Sequence, residues 1–176
     1  MIFSIRQEKT TDYQTVFNLI EYSFKDVKES NRNEHHLVER LRKSDAFIEE
    51  LSLVAESNGK IIGYILMTKV EIVSEKQRII SLGLAPVVVH PQYQRQGIGS
   101  ALIREAHKRA IELGYGSAVL IGHKNYYPRV GYKKAIDFVI EFPFDIPDDY
   151  CMVVELKPNA LHGIHGTVKY SKPFMK

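Results

Sequence analysis

The residues best suited to chemistry lie in mid-chain, where an apolar run ending at Val89 leads through a turn into an amphipathic pattern over residues 99–113. The turn carries the spacing Gln94-x-x-Gly97-x-Gly99. The first turn of a helix has N–H groups without helical acceptors and a positive dipole end, which together bind phosphate oxygens, and glycine lets the backbone approach them. The spacing therefore predicts a site for a phosphorylated ligand.

Two familiar phosphate-binding motifs do not fit this turn. A Walker A loop needs Gly-Lys followed by Ser or Thr, and these residues are missing. A dinucleotide fingerprint needs a third small residue three positions after its second glycine, where this chain has Leu102. Taken alone, the six residues also fit an ordinary glycine turn at the start of a helix.

Strand and helix patterns alternate around the turn, as in a single α/β unit. The dipeptide Asn58-Gly59 indicates a hairpin, and Gly83 and Pro86 interrupt a later strand pattern. The expected strands lie at residues 2–6, 51–57, 60–67, 79–89, 117–121, 138–142 and 151–156. The expected helices begin near Thr11, where Gln14 would complete a capping pair, near Asn33 and near Gly99.

Composition fits one ordinary globular domain over residues 1–176, with 44% hydrophobic and 26% charged residues. A formal net charge of +3 without a basic stripe argues against nucleic acid as the main partner. No apolar run is long enough to span a bilayer, so no membrane is expected. The one cysteine, Cys151, lies in an apolar run and is expected to be buried in a strand. The absence of a cysteine framework and of a signal pattern predicts a cytoplasmic protein.

The Gln94-x-x-Gly97-x-Gly99 segment resembles the acetyl-CoA signature of the Gcn5-related N-acetyltransferases, the GNAT superfamily. The order of the expected strands and helices resembles that superfamily as well. A second segment resembles a bacterial branch of that superfamily: Tyr126-Tyr127-Pro128-Arg129-Val130-Gly131-Tyr132. The resemblance covers about residues 1–157 and leaves 158–176 as a C-terminal extension. It implies a single-domain GNAT-like α/β fold, with a mixed, mostly antiparallel central sheet that is splayed at a bulged strand, near Pro86, and flanked by helices.

The resemblance implies acetyl-CoA as the cosubstrate and assigns its contacts. The backbone of Val87, Val88 and Val89 would pair with the pantetheine arm. Gln94 would belong to the cofactor site as part of the signature, and the residues of the loop that holds the pyrophosphate would be Arg95, Gln96, Gly97, Ile98, Gly99 and Ser100. The Arg95 side chain has two possible roles, a contact with phosphate or a solvated surface charge.

The same resemblance assigns Tyr127 to the position near the sulfur, where its hydroxyl can protonate the departing thiolate. The alternative is that Tyr127 only packs an aromatic turn. Because Pro128 disfavours helical geometry at the preceding residue, Tyr127 is expected at the start of a helical turn. The family's asparagine is out of register here, so Asn125 either substitutes for it at the cofactor site or only caps the turn.

The general base is harder to assign than the acid. An alkyl amine with a pKa near 10.4 is only about 1 part in 2,500 unprotonated at pH 7, so deprotonation matters. Residues 79–89 offer no carboxylate. His123 could act directly or through water, although a surface histidine fits as well, and Glu71 and Glu75 remain alternatives.

The predicted function is direct transfer of an acetyl group from acetyl-CoA to a primary amine on a small molecule or a protein. The alternative is a non-catalytic acyl-CoA-binding or regulatory module with the same fold. No metal is expected, because neither His35-His36 nor His162-x-x-His165 has a credible set of further ligands. Exposed strand edges would allow a homodimer.

Overall fold

The structure, a computed structural model, describes residues 1–175. Three α-helices lie in these residues: α1 (Tyr13–Phe24), α2 (Glu34–Arg42) and α3 (Ile98–Glu112). The strands are β1 (Ser4–Gln7), β2 (Ser52–Ser57), β3 (Lys60–Val73), β4 (Arg78–Val89), β5 (Ser117–Ile121), β6 (Lys133–Lys134), β7 (Ile140–Glu141), β8 (Cys151–Glu155) and β9 (Gly166–Lys169). None of the helices in this part of the chain is long and apolar enough to cross a membrane.

The strands form one sheet in the order β1-β2-β3-β4-β5-β8-β6, and β9 pairs with β3 and β7. The pairings of β1 with β2, β2 with β3, β3 with β9, and β8 with β5 and β6 are antiparallel, whereas β4 with β5 and β7 with β9 are parallel. The predicted mixed, mostly antiparallel α/β fold is therefore confirmed. The splay at Pro86 and the single domain over residues 1–176 stay predictions.

Two compact units can be distinguished along the chain. Unit 1 comprises Met1–Met67 and Ala85–Ala106, and unit 2 comprises Thr68–Leu84 and the described residues from His107 onward. Strands β3 and β4 and helix α3 each contribute residues to both units. The chain therefore passes from one unit to the other three times.

A buried polar network joins β2, β3 and α2 within unit 1. The Ser52 hydroxyl donates to Glu8 Oε2 at 2.6 Å and lies 2.8 Å from the Tyr64 hydroxyl, and the Arg42 guanidinium binds the same carboxylate. Burial raises the pKa of both Glu8 and Tyr64. Hydrogen bonding compensates the polar atoms for the loss of water here.

The core of unit 2 is the contact between β5 and β8. Their antiparallel register pairs Val119 with Val153 and Ile121 with Cys151, all in one apolar cluster. Strand β4 joins β5 through Leu82↔Ala118 and Gly83↔Val119. Cys151 is buried in β8, as predicted.

Three local expectations differ from the structure. Thr11 does not cap α1, because a 3-10 turn over Thr10–Asp12 precedes the helix and Asp12, not Thr11, accepts the local backbone N–H of Lys9. The strand expected at 138–142 is reduced to β7, because Ala135–Phe138 forms another 3-10 turn. The segment treated as an extension contains β9, which no apolar period had indicated.

Candidate functional site

Strand β4 delivers its last residues to the start of the glycine turn in unit 1. Val88 is buried, while Val87 and Val89 are half-buried. The amide of Gln94 donates to the Val89 carbonyl at 3.1 Å, and the His90 N–H donates to the Ile62 carbonyl at 2.8 Å. Hydrogen bonds thus connect the glycine turn to the end of β4 and to β3.

Two residues of the turn have positive φ angles, Arg95 at 61° and Gly97 at 81°. A methyl group built on Gly97 would have no neighbour within 4 Å, so the space in front of this residue is open. The first backbone bond of α3 runs from the Ala101 N–H to the Gly97 carbonyl, at 3.0 Å. The N–H groups of Ile98 and Gly99 therefore have no acceptor within the helix and are suited to bind an anion.

Gly63 in β3 leaves room for the close approach of the first turns of α3. A methyl group on Gly63 would lie 3.0 Å from Leu102 Cδ1, 3.2 Å from Ile98 Cγ2 and 3.3 Å from the Val88 carbonyl oxygen. Sequence analysis missed this residue, although a glycine inside a strand pattern is a recognised sign of close approach.

An aromatic group at the start of the turn was also missed. The ring of His90 stacks on Tyr22 of α1, with centroids 5.3 Å apart, and meets the Tyr93 ring edge-on at 5.6 Å. His90 Nδ1 accepts the Gln92 N–H at 3.3 Å. These contacts fix the side chain of His90, which directly follows Val89 at the end of β4.

Unit 2 contains the aromatic turn, a 3-10 turn over Tyr127–Val130 that begins at Tyr127, as Pro128 predicts. The N–H groups of Tyr126 and Tyr127 both donate to the His123 carbonyl, at 3.1 and 3.4 Å. The Tyr127 ring meets the rings of Tyr126 and Tyr132 edge-on, at 5.0 and 5.9 Å. The position of Tyr127 is therefore fixed by both backbone and ring contacts.

Burial dominates the electrostatics of this turn. It raises the pKa of Tyr127, with a smaller contribution from Tyr126, so the phenol is protonated at neutral pH. It also lowers the pKa of His107 to about 4, so this histidine is neutral. His107 Nε2 and the Tyr132 hydroxyl share a hydrogen bond of 2.9 Å.

The other predicted site residues are less constrained. His123 and Asn125 are exposed in unit 2. Glu71 binds Arg78 at 2.6 Å, and Glu75 is exposed in the turn between β3 and β4. The candidates for the general base are therefore still His123, Glu71 and Glu75.

The residues predicted for cofactor binding or catalysis fall into two sets. Unit 1 contains Val87, Val88, Val89, Gln94, Arg95, Gln96, Gly97, Ile98, Gly99 and Ser100. Unit 2 contains His123, Asn125 and Tyr127. Within residues 1–175, no three His, Cys, Asp or Glu side chains are grouped as a metal would need.

A family model described as an acetyltransferase (GNAT) domain matches residues 4–135, most of the chain. The chain belongs to the GNAT acetyltransferase family. The GNAT resemblance carried by the glycine turn and the Tyr-Tyr-Pro-Arg segment is thereby confirmed at the level of the family.

Two relatives from Escherichia coli K12 are described as uncharacterized N-acetyltransferases. YhbS is 30% identical to this GNAT chain over 171 residues, which cover 97% of each protein. YjhQ is 34% identical over 118 residues, which cover 66% of this chain and 65% of YjhQ, less than two thirds of its length.

Solved GNAT structures have the same fold. The crystal structure of E. coli YhbS in complex with CoA superposes with a TM-score of 0.89 at 28% identity, covering 99% of this chain and 92% of that one. A GNAT family acetyltransferase from Brucella melitensis in complex with acetyl-CoA gives a TM-score of 0.80 at 31% identity, covering 98% of both chains.

Proposed function

We propose that this GNAT protein is an N-acetyltransferase that binds acetyl-CoA at the turn before α3 and transfers the acetyl group to a primary amine. The open face of Gly97, beside the N–H groups of Ile98 and Gly99, carries the proposal. These donors suit the pyrophosphate of CoA. Two structural relatives that bind CoA or acetyl-CoA give further support.

The reaction has a simple balance of bonds and protons. The amine, once deprotonated, attacks the thioester carbonyl, a C–N bond forms and the C–S bond breaks. The proton lost from nitrogen passes to a base or to water, and the thiolate takes up a proton. We assign stabilisation of the oxyanion to a backbone N–H near Val89, the usual kind of donor for such a charge.

Tyr127 is the proposed donor to the departing thiolate. Its raised pKa keeps the hydroxyl protonated at neutral pH, so the proton is in place when the C–S bond breaks, and the tyrosinate that forms then regains a proton from water. A thiol has an ordinary pKa near 8.5, so the thiolate is a fair leaving group and the donor needs only to assist. The assignment rests on the family resemblance and on the environment of Tyr127 within unit 2.

Calorimetric titration with acetyl-CoA tests the cofactor site directly. Gly97→Glu puts bulk and negative charge in front of the proposed pyrophosphate donors and should abolish binding. Gly114→Glu is the matched control, because Gly114 also has a positive φ, at 95°, and open space but follows the opposite end of α3. Micromolar binding that only Gly97→Glu removes supports the site, whereas equal loss in both variants, or no binding by the natural sequence, contradicts it.

A screen of amines then separates an enzyme from a binding module. Acetyl-CoA is incubated with small amines and with peptides that carry a free N-terminus or a lysine, and free thiol is measured. Acetylated product supports the transferase. Tight acetyl-CoA binding without product, and without slow thioester hydrolysis, would instead identify a non-catalytic acyl-CoA-binding module.

A further inference from the structure

The ring of Tyr127 lies directly on the backbone of Gly122, the residue that follows β5. A methyl group built on Gly122 would lie 2.3 Å from Cε2 of Tyr127, 3.0 Å from Cδ2 and 3.2 Å from Cζ. Carbon atoms in ordinary contact are about 3.5–4.0 Å apart. Any side chain at position 122 would therefore occupy the space that the ring now fills, on the edge that leads to its hydroxyl.

The backbone of Gly122 is itself held in place. Its N–H donates to the Tyr150 carbonyl at 2.9 Å, immediately before β8 begins at Cys151. Its φ angle lies outside the left-handed region, so another residue could adopt the same backbone conformation. Position 122 therefore requires a glycine because the Tyr127 ring leaves no room for a side chain, and not because the backbone needs a special conformation.

Tyr132 contacts the same ring. Its own ring meets Tyr127 edge-on at 5.9 Å, and it is buried, with 2% of its surface exposed. Its hydroxyl is hydrogen-bonded to His107 Nε2 in α3 at 2.9 Å, which limits rotation of the ring. Its backbone N–H donates to the Tyr127 carbonyl at 3.3 Å, so the two residues are also joined through the main chain.

We propose that Gly122 and Tyr132 are positioning residues that fix the direction of the Tyr127 hydroxyl, Gly122 by leaving room for the ring and Tyr132 by packing against it. The inference rests on the proposed role of Tyr127 as donor to the thiolate. A side chain at position 122 must push the ring away, and a misplacement of about 1 Å can cost on the order of 10²-fold in rate.

The test compares Gly122→Ala with Gly116→Ala, because these two glycines flank β5 and neither has a left-handed φ. A methyl on Gly116 would meet only the Ala160 Cβ, at 3.0 Å, so this variant controls for the substitution itself. For Gly122→Ala, kcat should fall by about 10²-fold with the dissociation constant of acetyl-CoA unchanged. Gly116→Ala should keep kcat within about twofold of the natural protein.

A double variant separates positioning from general damage. In a Tyr127→Phe background there is no hydroxyl to misplace, so adding Gly122→Ala should lower kcat no further, and the two losses should be strongly non-additive. Full additivity would overturn the inference. If Tyr127→Phe alone leaves kcat unchanged, the proposed donor role of Tyr127 is wrong. If kcat falls in Tyr127→Phe but not in Gly122→Ala, only the positioning role of Gly122 is overturned.

A spectroscopic measurement keeps the inference testable without any acceptor amine. With tyrosine labelled with ¹³C at Cζ, the signal missing in Tyr127→Phe identifies Tyr127. That signal should move in Gly122→Ala and stay in place in Gly116→Ala. An unmoved signal in Gly122→Ala would contradict the contact on which the inference depends.

Tyr132 is tested by a graded pair of substitutions. Tyr132→Phe keeps the ring against Tyr127 and loses only the bond to His107, so most of kcat should remain. Tyr132→Leu removes the ring, so kcat should fall at least tenfold further while acetyl-CoA still binds. Equal kcat values in the two variants would remove Tyr132 from the positioning role.

Discussion

Tyr127 combines a protonated hydroxyl with a ring held by its neighbours. Burial keeps its pKa above the ordinary value, so the hydroxyl carries its proton at neutral pH. Exposed tyrosines of the chain, such as Tyr22, lack this confinement. The chemistry assigned to Tyr127 therefore depends on its hydroxyl, and removing that one atom is the sharpest test.

Tyr127→Phe should lower kcat by about 10²-fold with no change in the dissociation constant of acetyl-CoA, because acid–base groups contribute on this scale to the transition state. Steady-state kinetics and calorimetry on the same preparation measure the two quantities. Tyr126→Phe is the matched control, since its ring adjoins that of Tyr127. A kcat that falls equally in both variants would show that the turn, and not the Tyr127 hydroxyl, matters.

His107 predicts a pH dependence of stability. Burial lowers its pKa from an ordinary value of 6.5 to about 4, so the folded state resists protonation. Stability from the neutral imidazole is complete above pH 6.5 and is lost as pH falls towards 4. The free energy of unfolding should decrease by about 2–3 kcal/mol over this range, because a tenfold change in an acid constant corresponds to about 1.4 kcal/mol.

Urea denaturation at intervals between pH 7 and pH 4 measures this effect. His107→Gln keeps a hydrogen-bonding group near Tyr132 but does not titrate, so its stability should vary less with pH. His162→Gln, at an exposed position, should follow the natural protein. Parallel curves for all three proteins would mean that His107 is not the group responsible.

At the scale of elements, strong local signals allowed accurate prediction. The Asn58-Gly59 dipeptide has φ angles of 49° and 73° and joins β2 to β3, as its turn chemistry predicts. Strand β5 has the predicted bounds, Ser117–Ile121, and α3 differs from its prediction by one residue at each end. In each of these segments, local propensity and burial favour the same structure.

Where the structure depends on distant partners, the sequence was less informative. The four residues of β9 become a strand by pairing with β3 and β7, and nothing in their own pattern shows this. The expected strand at 138–142 is broken by Val139, whose φ of 56° is unusual for a β-branched residue. Val139 ends the 3-10 turn over Ala135–Phe138, and its carbonyl accepts the N–H of the distant Gly166, so its conformation cannot be read from a local period.

The approach of α3 to β3 gives an element-scale prediction. Gly63→Ala should move the first turns of α3, because its methyl group would crowd Leu102 Cδ1, Ile98 Cγ2 and the Val88 carbonyl. Overpacking of this kind costs about 1–3 kcal/mol. Thermal unfolding should show that loss, and calorimetry should show acetyl-CoA binding weakened several-fold, because the proposed phosphate-binding N–H groups lie on that turn.

A compensating change provides the control for Gly63→Ala. Leu102→Val removes Cδ1, the atom closest to the new methyl group, so the double variant should recover part of the stability and part of the affinity. If the second substitution only adds to the loss, crowding at Leu102 is not the cause. If Gly63→Ala binds acetyl-CoA normally, the position of α3 does not depend on this glycine.

For the whole molecule, separation along the sequence decides which residues could be proposed for the site from the sequence alone. The glycine turn is contiguous in sequence, so the physics of helix ends alone proposes Gly97, Ile98 and Gly99 as phosphate-binding residues. The support for Tyr127 comes from residues brought together by folding, and the sequence gives no spacing that joins Gly122 to Tyr150. Pairings of that kind become visible only in the folded chain.

The same argument predicts that residues 158–176 are not a dispensable extension. Strand β9 pairs Val168 with Ile72 of β3, and Val168 and Leu161 are both buried in the core of unit 2. Burying one such side chain contributes about 1.5–3 kcal/mol, and a whole domain has a stability of only about 5–15 kcal/mol. A chain ending at Lys157 should therefore unfold well below the natural melting temperature or fail to fold.

Two substitutions in the full-length chain distinguish loss of this packing from a general effect of truncation. Val168→Asn introduces a polar group into the core and should cost about 2–4 kcal/mol in the free energy of unfolding, measured by urea denaturation. Lys169→Asn changes the next residue of β9, which is exposed, and should cost no more than about 0.5 kcal/mol. If the shortened chain melts within a few degrees of the natural protein, β9 does not contribute to stability. If the shortened chain unfolds while Val168→Asn leaves stability unchanged, β9 stabilises the fold through backbone pairing with β3 and not through its buried side chain.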